Sequence, residues 1–448
     1  MISTYTIFEY GFLCSVGVKS AHYTALPIKA FKALKRLAMD NDTESSSAFL
    51  QIRHVKGSEL IQVKNYVGVL FLTDDIQLEI LPKTVRNVTA ENQEQKFTQA
   101  RKQVLSMLQT LREFKHLTSS SSSIESINLP LLEIFIQQFL ESVNYLIKRG
   151  IRSDYVRQQD NLPFQKGKLL VSKQIKHNST MQHRFYVEYD EYLQDRAENR
   201  EIHTTLKKVA SYARSVKSQK LCRELLVLFS DIPITRQPDK DLRQCRLTRG
   251  MEHYQAPLDW ARLILKGESP LSMQGNTSAT SLLFPMEVVF EAYAEKVLRR
   301  QISEKYDLKA QAQTYSLATY NGSSFFKLKP DFLIRSKNKD IAVFDTKWKL
   351  IDSSLSTSSD KFGISQADLY QMFAYGHKYL NGEGDIYLIY PAHDSFLEPL
   401  EHAFEIGCND KSLKVWVVPF VIGETTSKSY LKIPTSSLLN QEKAFEPL

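Results

Sequence analysis

Short apolar runs separated by turn-forming residues dominate the N-terminal part of the chain. Residues 60–63, 67–72 and 76–81 are such runs, and polar segments with turn-forming residues separate them. In residues 76–80 apolar and polar side chains alternate, which predicts a strand with one buried and one solvent-facing side. Pro82 is expected to end this strand. Residues 25–39 are predicted to form a helix.

Helical spacing of apolar residues dominates the middle of the chain. The predicted helices cover residues 98–114, 129–149, 195–229 and 251–266, and Gly150 is expected to stop the second. The segment 85–96 is polar and charged and is interpreted as a connection. Five consecutive serines, Ser119 to Ser123, predict a loop. Residues 267–281, rich in Gly, Ser and Thr, predict a linker or domain boundary.

The C-terminal part alternates between helical and strand patterns. Residues 284–300 have helical spacing, and two short apolar runs, 332–334 and 341–344, then flank a polar tetrapeptide in a hairpin pattern. A helix at 365–380 follows, and strands are predicted at 385–390, ended by Pro391, and at 415–422. This order of helix, strand, strand, helix and strand predicts an α/β core with a mixed sheet.

Positive charge is concentrated in one segment. The chain has 58 Lys and Arg and 50 Asp and Glu, a net charge of +8. Residues 148–184 contain nine basic and two acidic residues, an excess of seven. Strands are predicted at 167–171 and 184–189, joined by a basic loop at 172–183, and this distribution is typical of a surface for nucleic acid or a phosphate-bearing partner. A solvated hairpin is the alternative. The candidate contact residues are Lys166, Lys168, Lys173, Lys176 and Arg184.

These patterns predict a multidomain α+β protein. We expect a β-rich module at 1–95, a helical, partner-docking region with the basic hairpin at 96–265, and a C-terminal α/β domain at 280–448. The sequence has no apolar run of about 18 residues, so no membrane span is expected. Four cysteines without a C-x-x-C pair and an N-terminus unlike a signal peptide make a cytoplasmic location the simplest expectation.

Two carboxylates and a lysine gather at the C-terminal hairpin. Asp331 begins one strand, and Asp345 and Lys347 end the other, on the face of Val343. A carboxylate in line with buried aliphatic residues is costly unless a cation compensates it. Mg²⁺ held by Asp331 and Asp345, with Mn²⁺ as an alternative, would do so. The hypothesis is a metal-dependent phosphodiesterase in which Lys347 lies by the attacking water or the developing negative charge.

Flanking helices offer further candidates for this site. Glu291 could complete the metal shell directly or through water. The helix at 365–380 contains Gln-x-x-x-Tyr twice, and residues four apart share a helix face. The Gln amide and Tyr hydroxyl of one pair could together contact a phosphate or base. We prefer Gln371 and Tyr375, the latter as a DNA- or partner-binding residue, to Gln366 and Tyr370, because the first pair is deeper in the helix. A surface ion pair and a helix with a polar seam are the structural alternatives.

Other chemistries are excluded by their missing motifs. The sequence lacks the phosphate-binding G-x-x-x-x-G-K-[ST] loop, H-E-x-x-H and G-x-S-x-G. A nucleotide-driven motor, if the function needs one, must therefore be another polypeptide.

The order of these motifs resembles known families. Pro330-Asp331, then Asp345-Thr346-Lys347, with Glu291 before and the Gln371/Tyr375 pair after, resembles the PD-(D/E)xK nuclease superfamily. A longer series, from about residue 60 to about 420, resembles the McrC family. It comprises Tyr66-Val67-Gly68-Val69, Leu78-Glu79-Ile80-Leu81-Pro82-Lys83, Gly150 with Tyr155, Lys166-Gly167-Lys168-Leu169, Tyr189-Asp190-Glu191 with Asn199-Arg200, Leu282-Leu283-Phe284-Pro285-Met286 with Phe290-Glu291, and Leu388-Ile389-Tyr390-Pro391.

The resemblance implies a role. McrC-like proteins are nuclease subunits of modification-dependent restriction systems, paired with a hexameric GTP-hydrolysing AAA+ partner, McrB. The expectation is a Mg²⁺-dependent endonuclease with a PD-(D/E)xK core that docks on the ring, stimulates its GTPase and cuts double-stranded DNA that is modified or site-specific. GTP would enter only through the partner. The alternative is a non-cleaving assembly, GTPase-activating or DNA-binding subunit with a decayed nuclease fold.

Overall fold

The computed structural model describes residues 3–15, 23–40, 49–55, 57–73, 75–86, 93–111, 129–266, 281–337, 339–407 and 412–445. The chain forms two compact units. The first combines Met1–Leu131 with Glu268–Leu448, and the second is Leu132–Gly267. The serine run and residues 267–280 lie outside the described residues.

The N-terminal part of the first unit is rich in strands, as predicted. Two sheets form, in the orders β3-β2-β5-β4 and β1-β7-β6-β11, where β11 (Ser281–Pro285) comes from the C-terminal part of the chain. Leu34 of the helix α1 is buried in one apolar cluster with residues of both sheets, such as Ile61 and Leu78. The elements are β1 (Ser3–Phe8), β2 (Phe12–Ser15), β3 (Tyr23–Leu26), α1 (Ile28–Asp40), β4 (Leu50–Val55), β5 (Ser58–Val63), β6 (Tyr66–Thr73), β7 (Ile76–Leu81), a 3₁₀ turn at Lys83–Val85 and α2 (Gln93–Leu108).

Strand β7 differs from its prediction. It ends before Pro82 as expected, but all six of its residues are buried, so the predicted solvent-facing side is wrong. The reason is tertiary: β7 lies between β1 and β6, and α2 packs against it. Arg101 of α2 forms an ion pair with Glu79 at 2.7 Å, which makes burial of this carboxylate tolerable. The helix α2 begins at Gln93, inside the segment interpreted as a connection.

The second unit is mainly helical, as its apolar spacing predicted. The predicted helix at 129–149 is confirmed, and Gly150, with φ +101°, ends it. The helical pattern at 195–229 forms two helices rather than one. The elements are α3 (Leu131–Arg149), β8 (Asp154–Leu162), β9 (Lys168–Leu169), α4 (Val171–Asn178), β10 (Phe185–Leu193), α5 (Ala197–Tyr212), α6 (Val216–Leu228), α7 (Pro238–Gln244), a 3₁₀ turn at Glu252–Tyr254 and α8 (Gln255–Lys266).

The basic hairpin is built differently from the prediction. Its predicted loop at 172–183 is wrong, because α4 occupies most of it. Gln174 of α4 explains the packing, since it accepts a hydrogen bond from Tyr186 N and donates one to the carbonyl of Arg184. The strand β8 was not predicted, yet it pairs with β10 over nine residues. Its sequence is too polar to show an apolar alternation.

The C-terminal part of the first unit contains the predicted mixed sheet. Its strand order is β12-β15-β16-β17-β19-β18, with β20 paired to β19. Neighbours from β12 to β16 are antiparallel, whereas β16, β17 and β19 are parallel. The elements are β11 (Ser281–Pro285), α9 (Met286–Gln301), β12 (Asp307–Ala310), β13 (Ser316–Tyr320), β14 (Ser323–Lys327), β15 (Phe332–Ser336), β16 (Lys339–Thr346), a 3₁₀ turn at Lys361–Gly363, α10 (Gln366–Tyr379), β17 (Gly384–Pro391), β18 (Phe404–Ile406), β19 (Leu413–Val421), a 3₁₀ turn at Thr426–Lys428, β20 (Tyr430–Leu431) and α11 (Leu438–Gln441).

One helix covers each face of this sheet. Met372 of α10 is buried in an apolar cluster with Leu333 and Val343. The alternate residues of the strands face the other way, where Phe290 of α9 contacts Phe420 at a ring-centroid distance of 5.5 Å. The fold class is therefore α+β with a mixed sheet, as predicted. Of the helices in the described segments, none has the length and apolar character needed to span a membrane.

Candidate active site

The hairpin of β15 and β16 brings the two predicted carboxylates together. Phe332 is paired with Phe344 in the antiparallel register. The next residues outward, Asp331 and Asp345, therefore face each other on one side of the sheet. Alternation places Asp345 on the same side as Val343, which is the side that α10 covers. Two like charges thus meet at the edge where β16 ends.

Asp331 is held in place by the residue between Asp345 and Lys347. The backbone N–H and the Oγ1 hydroxyl of Thr346 both donate to Asp331 Oδ2, at 2.7 and 2.6 Å. Burial raises the pKa of Asp331, and these two bonds and Lys347 oppose the rise without cancelling it. Thr346 was not predicted as a site residue. The only sequence feature that could have indicated its role is its hydroxyl at the middle position of the D-x-K motif.

Asp345 is a buried carboxylate with too few partners. It is 1% exposed, and burial, then the charge of Asp331, raises its pKa to about 7 in spite of Lys347. Lys347 Nζ lies 2.5 Å from Asp345 Oδ2 and forms an ion pair with it. Within the described part of the chain, nothing else donates to this oxygen. One ammonium therefore faces two carboxylates.

Lys347 is positioned by the helix α10. Its Nζ donates to Gln371 Oε1 at 2.9 Å, Gln371 Nε2 donates to the Tyr375 hydroxyl at 2.7 Å, and that hydroxyl donates to the Lys329 carbonyl at 2.9 Å. Burial lowers the pKa of Lys347, but Asp345 and Asp331 outweigh it and raise the pKa overall. Lys347 is therefore a positioned cation in an ion pair with Asp345, and its place beside the attacking water or the phosphate stays a prediction.

Of the two Gln-Tyr pairs, the structure brings the second to the site. Gln371 and Tyr375 join the chain of hydrogen bonds that ends at Lys347. Gln366 and Tyr370 are exposed and bond to each other.

Glu291 reaches the site from the opposite layer. It lies on α9 and accepts a hydrogen bond from Gln311 Nε2 at 2.8 Å, while the backbone N–H of Gln311 donates to the Asp331 carbonyl at 2.7 Å. Burial, and then the charge of Asp331, raises the pKa of Glu291. Glu291 is thus near enough to sense Asp331, with Gln311 linking the two. Gln311 was not predicted, because it lies outside every motif.

The donor set fits a hard divalent cation only in part. Among the residues described, no group of three or more His, Cys, Asp or Glu side chains is arranged to hold a metal ion. Mg²⁺, however, keeps several waters and often uses one or two carboxylates. The under-paired Oδ2 of Asp345, facing Asp331, is the kind of oxygen that such a cation would satisfy. Asp331 and Asp345 fit as direct ligands, and Glu291 fits only through water.

The charge of a second lysine beside the site, Lys349, is compensated by a carboxylate. Lys349 Nζ donates to Asp368 Oδ2 at 2.7 Å. Burial raises the pKa of Asp368, but hydrogen bonds from Lys349 and Ser365 outweigh it, so that the pKa is lowered overall. This pair was not predicted. The sequence feature that could have indicated it is Ser365, which caps α10 by accepting a hydrogen bond from the Asp368 N–H.

The basic candidates of the second unit are largely engaged within their own sheet. Lys166 lies 3.9 Å from the ring centroid of Tyr189, and Lys173 donates to Gln159 Oε1 at 2.5 Å. Arg184 donates to a backbone carbonyl of β8. Lys168 and Lys176 are exposed. The role of these five residues as a contact surface stays a prediction.

Comparisons with known proteins add independent findings. A family model described as McrBC 5-methylcytosine restriction system component matches residues 61–391. A chain of the refined half-complex from the tetradecameric assembly of Thermococcus gammatolerans McrB AAA+ hexamers with bound McrC has a similar fold. Its TM-score is 0.66 at 21% identity, with 96% of this chain and 97% of that chain covered.

A chain of the cryo-EM structure of the Thermococcus gammatolerans McrBC complex aligns with a TM-score of 0.46 and 23% identity, over 66% of this chain and 88% of that chain. No curated protein matches the sequence significantly.

Proposed function

The chain belongs to the family of McrBC 5-methylcytosine restriction system components, and we propose that it is the DNA-cleaving subunit of such a system. The observation that carries this proposal is the carboxylate pair Asp331 and Asp345 together with Lys347. The Lys347 ammonium contacts Asp345 on one side and Gln371 of α10 on the other. Two buried acids facing one lysine leave negative charge that a divalent cation would neutralise. A PD-(D/E)xK nuclease needs this combination.

Each residue has a distinct role in the proposed site. Asp331, fixed by Thr346, and Asp345 would hold Mg²⁺ or Mn²⁺, which when bound would supply Lewis acidity and neutralise phosphate charge. Lys347 stays protonated and stabilises negative charge that develops on the phosphate. Gln371 keeps the ammonium oriented by accepting one of its hydrogen bonds. Glu291 contributes through a bound water.

The chain around the site suits a polyanionic substrate. Residues 308–330 contain three lysines, Lys309, Lys327 and Lys329, and no carboxylate. Ala310 at the end of β12 pairs with Phe332, so the β13–β14 hairpin leaves the sheet at the edge that carries Asp331. Tyr320 and Phe326 on this hairpin are 75% and 73% exposed. Cations beside exposed aromatic rings favour contact with nucleic acid.

A separate partner supplies the nucleotide-driven step. The sequence lacks the phosphate-binding loop that a GTPase needs. In the structure of similar fold, McrC is bound to McrB AAA+ hexamers. The present chain would dock on a related hexameric GTPase and stimulate GTP hydrolysis, and the partner would select modified or site-specific DNA.

A cleavage assay separates this proposal from a non-cleaving assembly subunit. The chain, its AAA+ partner, GTP and methylated double-stranded DNA are combined with Mg²⁺ or with a chelator. Cleavage with Mg²⁺ and intact DNA with the chelator are expected. Intact DNA in both samples, together with stimulated GTP hydrolysis, would instead identify an activator whose nuclease site has decayed.

A further inference from the structure

Two buried charges from the N-terminal part of the chain reach the residue that follows Lys347. Glu9 is 0% exposed and Lys83 is 6% exposed. Lys83 Nζ donates to the Trp348 carbonyl at 2.7 Å, and Trp348 Nε1 donates to both carboxylate oxygens of Glu9, at 3.1 and 3.0 Å. The backbone carbonyl and the indole N–H of Trp348 are therefore held by residues that lie far away in sequence.

These contacts fix the chain immediately after β16. The Lys347 N–H donates to the Ile389 carbonyl at 2.8 Å, which holds one side of this segment to β17. The Trp348 ring packs on Phe290 at 5.2 Å between centroids, and Phe290 precedes Glu291 on α9. Trp348 thus connects the lysine of the candidate site, the helix of Glu291 and the N-terminal part of the chain.

Burying the charges of Lys83 and Glu9 costs solvation free energy, which is unusual for a contact with a purely structural role. Burial lowers the pKa of Lys83 and raises the pKa of Glu9, so each charge is held against its solvation penalty. The Lys83 ammonium lies over the Tyr10 ring, 4.6 Å from its centroid, and bonds to a backbone carbonyl. A buried ammonium that bonds to a backbone carbonyl fixes the orientation of that peptide.

We propose that Lys83 and Glu9 are positioning residues that hold the Trp348 peptide and indole, and thereby fix Lys347 Nζ beside Asp331 and Asp345. This inference rests on the proposed nuclease function. Neither residue is proposed to contact DNA, and neither belongs to the proposed metal-binding set. The N-terminal part of the chain is then a component of the cutting site as well as a separate sheet structure.

The test compares Lys83→Met with Arg101→Met in the complete chain with its partner. Arg101 is a matched control, because it is also a buried cation of the N-terminal part of the chain, paired with Glu79. Lys83→Met is expected to slow single-turnover DNA cleavage by about 10- to 100-fold, with DNA affinity and GTPase stimulation unchanged. Lys83→Arg, which keeps a donor, is expected to recover part of the rate.

Hydrogen–deuterium exchange supplies a readout that does not depend on cleavage. Backbone amides of residues 347–349 are expected to exchange faster in Lys83→Met and in Glu9→Gln than in the wild type. In Arg101→Met their exchange is expected to stay unchanged, although its melting temperature falls. Unchanged exchange at 347–349 in both test variants would overturn the positioning role, and so would equal losses of cleavage in Lys83→Met and Arg101→Met.

The two proposals fail in different ways. If the wild type cuts no DNA, the proposed function is wrong, and the exchange of residues 347–349 still decides whether Lys83 and Glu9 fix this segment. If the wild type cuts and Lys83→Met cuts equally fast with unchanged exchange, only the positioning inference is wrong.

Discussion

Two buried carboxylates on strands of the first unit, Glu79 on β7 and Asp345 on β16, have opposite surroundings. Glu79 accepts two hydrogen bonds from Arg101, one from the Thr6 hydroxyl and one from the Leu131 N–H. Asp345 faces another carboxylate and shares one lysine with it. A buried carboxylate that accepts a full set of hydrogen bonds stabilises a fold. A buried carboxylate with too few hydrogen-bond donors can instead bind a cation.

The largest expected effect is a difference in stability between matched substitutions. Glu79→Gln leaves Arg101 buried without its anion and should lower the free energy of unfolding by about 3–5 kcal/mol. Asp345→Asn relieves repulsion with Asp331 and should leave the free energy of unfolding unchanged or raise it. Urea unfolding without divalent metal measures both. A large loss in Asp345→Asn would show that this carboxylate is structural too.

Divalent metal should stabilise the fold only by binding to Asp331 and Asp345. With Mg²⁺ at about 100 times its dissociation constant, the free energy of unfolding of the wild type should rise by about 2.7 kcal/mol. The rise should disappear in Asp345→Asn and persist in Glu79→Gln. Thermal melts with Mg²⁺ and with a chelator measure it, and an equal rise in all three proteins would place the metal elsewhere.

The pH dependence of stability should differ between wild type and Asp345→Asn. The pKa of Asp345 is raised in the fold from 3.8 to about 7, so the folded chain binds a proton that the unfolded chain has released. Without metal, this group's stabilising contribution is present below about pH 4 and is lost as the pH rises to about 7. Urea unfolding of both proteins between about pH 4 and pH 7 measures this difference. Parallel curves of unfolding free energy against pH would mean that Asp345 ionises normally.

The smallest expected effect on stability concerns the exposed charges of the second unit. Reversing Lys166, Lys168 and Lys173 together should change the free energy of unfolding by only about 0.5 kcal/mol for each residue, because Lys168 and Lys173 are exposed and Lys166 is partly exposed. Affinity for DNA or for the AAA+ partner should nevertheless fall, and salt-dependent binding assays measure it. If neither affinity changed, this sheet would have no role in binding.

The strands and helices around the site could be predicted because each has a local pattern. Alternation and a polar turn gave the β15–β16 hairpin, and antiparallel pairing then placed Asp331 opposite Asp345. The helical spacing of α10 gave its limits to within one residue and put Gln371 on the right face.

The remaining contacts could not be predicted because they depend on tertiary structure. Lys83 and Trp348 are 265 residues apart, and no periodicity connects them. The solvent-facing side predicted for β7 was wrong for the same reason, since Arg101 on another element makes a buried Glu79 acceptable. Strand β8 was missed because pairing with β10, rather than an apolar face, holds it.

Asp331 and Asp345 form the proposed cutting site. Its most direct test is DNA cleavage by Asp345→Ala, assembled with the AAA+ partner in GTP and Mg²⁺, with GTP hydrolysis measured in the same sample. We expect cleavage to be abolished while partner binding and GTPase stimulation stay at wild-type levels. Undiminished cleavage by this variant would show that Asp345 is not part of the cutting site.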